Sequence, residues 1–234
     1  MNWQALLDAL AGPGHDVQVE DEVLRGTLRF DGQDLAVIGT TDHAPIGVAR
    51  ALAQARAVLD TVRDHPGRPI LLLVDTQGQQ LRRRDEMLGI HRAMAHLGKA
   101  VDLARRRGHR IVGLVYDQAL SGGFLTSGLM ADVCDALPEA EIRVMRLPAM
   151  ARVTKLPEER LAELSRDNPV FAPGVDNYVA MGGVRALWSP QNLAAGLRAA
   201  LAASGQPDRR ALDGAERGGR KLAAEVMQRV RSAA

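Results

Sequence analysis

The sequence predicts an α/β protein, and three observations carry that reading. Two short runs, Ile70-Leu71-Leu72-Leu73-Val74 and 111–116, are apolar on both faces, as central strands covered on both sides are. They alternate with longer stretches, 48–65 and 87–108, whose apolar residues recur at helical spacing. With 46% hydrophobic and 25% charged residues over 234 positions, the chain matches an ordinary globular domain carrying an appendage, which excludes disorder, collagen-like repeats and a coiled coil.

The elements follow in order. Leu6, Leu7 and Leu10 give a short docking helix that stops at Gly12-Pro13-Gly14. Two apolar stretches, 23–30 and 35–38, join through Asp31-Gly32, a dipeptide that tolerates the positive φ angles of a tight hairpin turn. A polar loop, 39–47, leads into the helix 48–65, whose buried face is expected to be Val48, Leu52, Ala55, Val58, Leu59 and Val62. The strand 70–74 ends at Asp75, 77–81 reads as a loop, and one long helix runs from Met87 to near Gly108. After the strand 111–116, a loop at 117–121 precedes a small-residue helix opened by Gly122-Gly123 and reaching about Ala131. Two short strands, 132–137 and 142–147, come next. Asp167-Asn168-Pro169 is expected to end one later helix, and Ser189-Pro190 to start another as N-cap and first-turn proline. The glycine-rich stretch 205–219 reads as a linker before a terminal helix, 220–230, so the expected units are 1–204 and 205–234.

Composition excludes several function classes. Thirty basic against 28 acidic residues leave +2, and seven aromatic side chains provide no base-stacking platform, so no nucleic-acid partner is expected. The single cysteine, Cys134, rules out an intrachain disulfide framework and a multi-cysteine zinc site, and reads as a small buried residue. His91 and His96 are five apart on one helix, not the i, i+4 pair of zinc helices, so no metal is expected. With neither a signal sequence nor 18 consecutive apolar residues, a cytoplasmic protein without a membrane partner is expected.

The chemistry concentrates in Gln118-Ala119-Leu120-Ser121-Gly122-Gly123-Phe124. A strand, a tight turn and a glycine-opened helix aim free backbone amides at one point, and the missing Cβ atoms let a ligand oxygen approach the main chain. Such amides stabilise a carbonyl oxygen that gains charge. A plain tight contact between helix and strand explains a glycine pair equally well.

From Gly26 to about Trp188 the chain resembles the carboxyltransferase branch of the crotonase superfamily, especially the gamma subunit of biotin-independent malonate decarboxylase. Three motifs carry the resemblance in the family's order: Val37-Ile38-Gly39-Thr40-Thr41, Leu73-Val74-Asp75-Thr76-Gln77-Gly78 and Ser121-Gly122-Gly123-Phe124. The stretches 148–153 and 171–183 are also similar. Where carboxyltransferases carry Asp-Thr-Pro-Gly, Gln77 replaces the proline, and Ala119-Leu120 replace the leading glycines of the helix-start motif, departures that favour the decarboxylase branch.

The resemblance implies a ClpP/crotonase-like fold of repeated strand-strand-helix units, with a helical C-terminal appendage. It also implies a subunit active only beside a homologous beta subunit, in a heterodimer or larger assembly. The implied substrate is a malonyl thioester on an acyl carrier protein, held through a phosphoribosyl-dephospho-CoA arm that a transferase subunit attaches. Decarboxylation yields an acetyl thioester and carbon dioxide with neither biotin nor metal. On this reading Gly122 and Gly123 supply an oxyanion site, Ser121 and Gln118 orient substrate, and Phe124, Thr40, Thr41, His43 and Gly78 line it. The loop 39–47 is the expected second wall. Alternatives are a carboxyltransferase subunit of a biotin-dependent enzyme and a non-catalytic subunit that closes its partner's site.

Gln118-Ala119-Leu120-Ser121 also resembles the nucleophile segment of Clp-type serine peptidases, but all six histidines lie upstream of Ser121, against those enzymes' chain order. A crotonase-type hydratase is disfavoured because the 122–131 helix and the loop before it hold no glutamate, and the nearest acids, Asp117 and Asp132, only flank it. Arg105-Arg106-Arg107 reads as a solvated helix end, whereas Arg82-Arg83-Arg84 follows a strand-end loop and suits phosphate or an acidic carrier protein.

Overall fold

The computed structural model describes residues 1–12, 14–166 and 174–233. Helix α1 (Trp3–Ala11) begins at Asn2, whose Oδ1 accepts the Ala5 amide at 2.8 Å, and buries Leu6, Leu7 and Leu10. Strands β1 (Gln18–Glu20), β2 (Val23–Phe30) and β3 (Gln33–Thr40) form an antiparallel ribbon. Asp31 and Gly32 both take positive φ, 47° and 79°, as the predicted two-residue turn requires. Next come β4 (Ala44–Ile46), α2 (Val48–Asp64), β5 (Ile70–Gln79), α3 (Arg83–Met87), α4 (Ile90–Arg106) and β6 (Ile111–Leu120). Then follow α5 (Ser121–Leu125), a 3₁₀ turn (Gly128–Met130), β7 (Val133–Ala136), β8 (Glu141–Arg143), α6 (Leu147–Thr154) and α7 (Glu158–Ser165). Helices α8 (Val175–Ala180), α9 (Leu193–Ala203), α10 (Arg210–Glu216) and α11 (Ala223–Ser232) complete the chain.

The strand order is β1-β2-β3-β5-β6-β7, with β3, β5, β6 and β7 parallel. The first halves of β5 and β6 form the centre of this sheet, whereas their second halves take separate partners: Thr76 to Gln79 pair with β4, and Gln118 to Leu120 with β8. Each unit therefore reads as a long strand, a short strand and a helix: β3-β4-α2, then β5 in two parts with α4, then β6 in two parts with α5. The change of partner coincides with a bulge, because Val74 pairs with Val115 but Thr76 pairs with Ala119. Two extra residues of β6 are absorbed there, which bends the strand and re-aims its side chains.

Side chains of the central strands alternate between two cores, the period of two that a strand imposes. Leu71, Leu73, Val112 and Leu114 pack with α1, α9 and Trp188, while Ile70, Leu72 and Ile111 pack with α2 and α4. The predicted coverage on both sides is thus present.

Several boundaries differ from the sequence reading. The 39–47 loop contains β4, and the loops at 77–81 and 117–121 are largely strand, so Asp75 lies within β5 instead of ending it. On α2 the buried residues are Ala51, Gln54, Ala55, Ala57, Val58 and Thr61, while Leu52 faces outward, since the helix packs through small residues. The long helix divides at Gly89, φ +76°, and leaves Met87 exposed on α3. The 122–131 helix stops after Leu125, where the hydroxyls of Thr126 and Ser127 take the Gly122 and Gly123 carbonyls. Asn192, not Ser189, caps α9, its Oδ1 accepting the Ala195 amide at 3.1 Å. The stretch 205–219 holds α10, from which Arg210 donates to the Leu129 carbonyl. The predicted stop at Asp167-Asn168-Pro169 and Pro13 of the first turn lie outside the described residues.

Candidate active site

The second halves of β4, β5 and β6 meet the start of α5. Gly78, at φ +93°, lies where a Cβ would be 2.9 Å from the Leu120 carbonyl oxygen and 3.0 Å from Ser121 Cβ. A Cβ on Gly123 would fall 2.9 Å from both Ile46 Cγ1 and Thr76 Oγ1 and 3.1 Å from Gly78 Cα. Only glycine permits this approach, so three strand segments and the helix start close on one another. Thr76 fastens the arrangement: its hydroxyl donates to the Ala44 carbonyl (2.6 Å) and accepts the Gly78 amide (2.9 Å). Gly122 is less confined, with the mobile end of Met94 as the nearest group to its absent Cβ. As first-turn residues, Gly122 and Gly123 have no acceptor for their amides within α5.

Ser121 holds a left-handed conformation, φ +49°, that is uncommon for a residue with a side chain. Its hydroxyl donates to the Val144 carbonyl, and no histidine contacts it among the described residues. The peptidase reading therefore has neither a chain order nor a base in its favour. Gln118 is buried: its Oε1 accepts from Arg146 Nη2 at 2.7 Å, and its Nε2 has no partner among the described residues. That leaves one buried donor on β6.

The other predicted residues divide. Phe124 is a core side chain, edge-on to Tyr178 with ring centroids 6.1 Å apart. Thr40 and Thr41 are also buried, and the Thr40 carbonyl accepts the Tyr116 hydroxyl at 2.9 Å. His43 lies in the β3–β4 turn, where two consecutive residues, Asp42 (φ +57°) and His43 (φ +52°), are left-handed. The Ala44 amide closes this turn on the Thr41 carbonyl at 3.1 Å.

Sequence reasoning missed what holds His43. Asp75 is 3% exposed; its Oδ2 accepts the His43 amide at 3.0 Å, while its Oδ1 lies 3.7 Å from His43 Nε2. Asp117 Oδ1 faces the same ring nitrogen at 3.5 Å. Burial pushes the Asp75 carboxyl above its ordinary value near 3.8, against the lowering pull of the His43 amide and ring. Its ionisation therefore costs folding stability, from nothing below the unfolded value to the full amount above the raised folded one. His43, Asp75 and Asp117 are also the described His, Cys, Asp or Glu residues grouped closely enough for a metal ion. Two of them are half exposed and imidazole–carboxylate pairing accounts for all three, so no metal is assigned to them.

Asp132 is engaged by Arg105 (2.7 Å) and the Ile111 amide (2.8 Å). Cys134 is buried, and burial pushes its thiol well up. No described helix is long and apolar enough to cross a membrane.

Strand-strand-helix repeats with a glycine wall at the helix start define a crotonase-fold protein of the carboxyltransferase type. The same fold is seen in transcarboxylase 12S, with a TM-score of 0.71 and 19% identity over 87% of this chain and 40% of that one. The chain belongs to the malonate decarboxylase gamma subunit family, whose sequence profile matches residues 41–234. It is 36% identical over 192 residues to the malonyl-S-ACP:biotin-protein carboxyltransferase MADD of Malonomonas rubra, covering 74% of this chain and 66%, just under two thirds, of that protein. It is also similar to a chain of a Pseudomonas malonate decarboxylase hetero-tetramer in complex with coenzyme A, with a TM-score of 0.82 and 27% identity over 98% of both chains.

Proposed function

We propose that this chain is a catalytic subunit of a malonate decarboxylase, acting on a malonyl thioester at a site shared with a homologous beta subunit. The convergence of Gly78, Ser121, Gly122 and Gly123 carries the reading, because it leaves backbone amides at a point that side chains cannot block. Loss of carbon dioxide breaks the bond from C2 to the carboxyl carbon and leaves its electron pair on C2 and the thioester oxygen. The Gly122 and Gly123 amides stabilise that oxygen, and no reorganisation is needed because the backbone is already placed. The unpartnered Gln118 Nε2 supplies a further donor to substrate, and Ser121, fixed on the Val144 carbonyl, sets the turn. Thr40, Thr41 and Phe124 act from behind, by packing the walls that hold His43 and Gly78.

The substrate is delivered on an acyl carrier protein through a phosphoribosyl-dephospho-CoA arm that a transferase subunit attaches. The Pseudomonas relative's complex with coenzyme A supports a thioester arm of this kind. The carrier meets the stretch 81–88, where Leu81, Met87 and Leu88 are exposed and no ion pair involves Arg82, Arg83 or Arg84 among the described residues. The units 1–204 and 205–234 and a cytoplasmic location belong to the same reading.

The Malonomonas relative favours a second reading, in which the same enolate forms but the carboxyl group passes to protein-bound biotin. The fate of the carboxyl separates the two. With labelled malonyl thioester, the assembled complex is expected to release the label as carbon dioxide at the same rate with or without a biotinylated acceptor domain. Label on the acceptor and release that depends on it would establish the transfer reading instead.

A further inference from the structure

Resting on the decarboxylase reading, we propose that Gln79 is a substrate-binding residue whose Oε1 accepts the N–H of the carrier arm's first amide, two carbons beyond the thioester sulfur. The glycine wall sets the place of that contact. Over the face of Gly122 that its absent Cβ leaves open, two side-chain atoms come within 4 Å of the Cβ position, Met94 Cε at 3.0 Å and Gln79 Oε1 at 3.9 Å. The methionine end is apolar, so Gln79 brings the polar atom.

Its placement is fixed at both ends. On the main chain, Gln79 pairs with Ile46 of β4, and the following amide, that of Gln80, donates to the Ile46 carbonyl at 2.9 Å. Ile46 in turn touches the space over Gly123. On the side chain, Nε2 donates to Glu86 Oε1 of α3 at 3.1 Å. An ionised carboxylate only accepts, so this bond determines which end of the amide is which and leaves Oε1 turned to Gly122. Among the described residues, none donates to that oxygen. Gln79 is half-buried, within reach of a ligand that enters beside α3.

The chemistry of the substrate decides what this oxygen meets. A hydrogen-bond acceptor repels both the enolate oxygen and the malonyl carboxylate, and the malonyl thioester itself carries no N–H or O–H. The first donor along a coenzyme A-derived arm is the amide two carbons past the sulfur. That group complements Oε1 when the thioester oxygen rests on the Gly122 and Gly123 amides. Gln79 also stands on the arm's path, because Glu86 belongs to the stretch 81–88 that meets the carrier.

The test compares the complex of this chain and its beta partner with the same complex carrying Gln79→Leu, which removes the acceptor. Three substrates are used: malonyl carrier protein, malonyl-N-acetylcysteamine, which keeps the amide, and the malonyl thioester of 2-acetoxyethanethiol, in which an ester oxygen replaces the N–H. KM is measured for each, or the inhibition constant against malonyl carrier protein where a small thioester is not turned over. Gln79→Leu is expected to raise KM about tenfold for the two substrates with the amide, the loss of one hydrogen bond, with kcat within about twofold of wild type. The ester analogue is expected to be unaffected, so the wild type prefers amide to ester about tenfold and the variant does not. The proposal is overturned by a variant whose KM for malonyl carrier protein stays within twofold of wild type, or by equal losses on amide and ester, which would make Gln79 a wall and not an acceptor. A wild-type complex unable to decarboxylate malonyl carrier protein would refute the underlying reading; a competent wild type that does not distinguish amide from ester refutes the role of Gln79 alone.

Discussion

Replacing Gly122 with proline is expected to lower decarboxylation by the assembled complex about 10²–10³-fold, the loss measured when one oxyanion donor is removed. Proline has no N–H and is tolerated in the first helical turn, so the substitution removes the amide, while also restricting the backbone of Ser121 ahead of it. A Cβ at this position meets only Met94 Cε, at 3.0 Å, the far end of a flexible side chain. Gly122→Ala adds the same carbon and keeps the N–H, so it is expected to stay within about tenfold of wild type on the same donor scale. Equal losses in the two variants would show that space, not the amide, is what matters. Gly123 is unsuited to this comparison: a Cβ there would press on Ile46, Thr76 and Gly78 together, and a larger side chain would unpack the site it is meant to probe.

The second large effect is on stability. Asp135 is fully buried on β7, where its Oδ2 accepts from Arg185 Nη2 and from Trp188 Nε1 (2.7 Å) and its Oδ1 from the Ala186 amide (3.1 Å). One carboxylate thus fastens the 185–188 segment to the end of the main sheet. Burial pushes its carboxyl upward while the Arg185 charge and the Trp188 hydrogen bond oppose that. Asp135→Ala removes one partner of this pair and strands the Arg185 charge and two N–H donors, for an expected loss of about 3–5 kcal/mol. Urea denaturation of the two proteins measures it directly. A midpoint shift equivalent to less than about 1 kcal/mol would place this carboxylate among ordinary single hydrogen bonds.

Half of the fold was legible in the sequence, and the division has a physical basis. The first halves of β5 and β6 are continuous apolar runs because both faces are covered, and the hairpin announces itself through Asp31-Gly32. The second halves read as loops because Gln77, Gly78, Gln79, Asp117 and Gln118 carry no apolar period. They are strands because β4 and β8 pair with them. The helix after Gly123 was overextended for a similar reason: small apolar residues continue to Ala131, but Thr126 and Ser127 turn back to the carbonyls behind them.

In the candidate site, the glycines and Ser121 were legible because they are contiguous and open a helix. The hold on His43 was not, since Asp75 and Asp117 lie 32 and 74 positions away and meet it only through the β5–β6 bulge. No sequence signal pointed there, because 39–47 reads only as a polar loop and the two left-handed residues of its turn, Asp42 and His43, are visible in the structure alone.

The most direct test of the central claim is carbon dioxide release from a malonyl thioester by this chain alone, by its beta partner alone, and by the two mixed. A site shared between subunits, with amides supplied here, predicts release only in the mixture, saturating at equal amounts of the two chains. Release by the beta partner alone at the rate of the mixture would contradict it and leave this chain a scaffold.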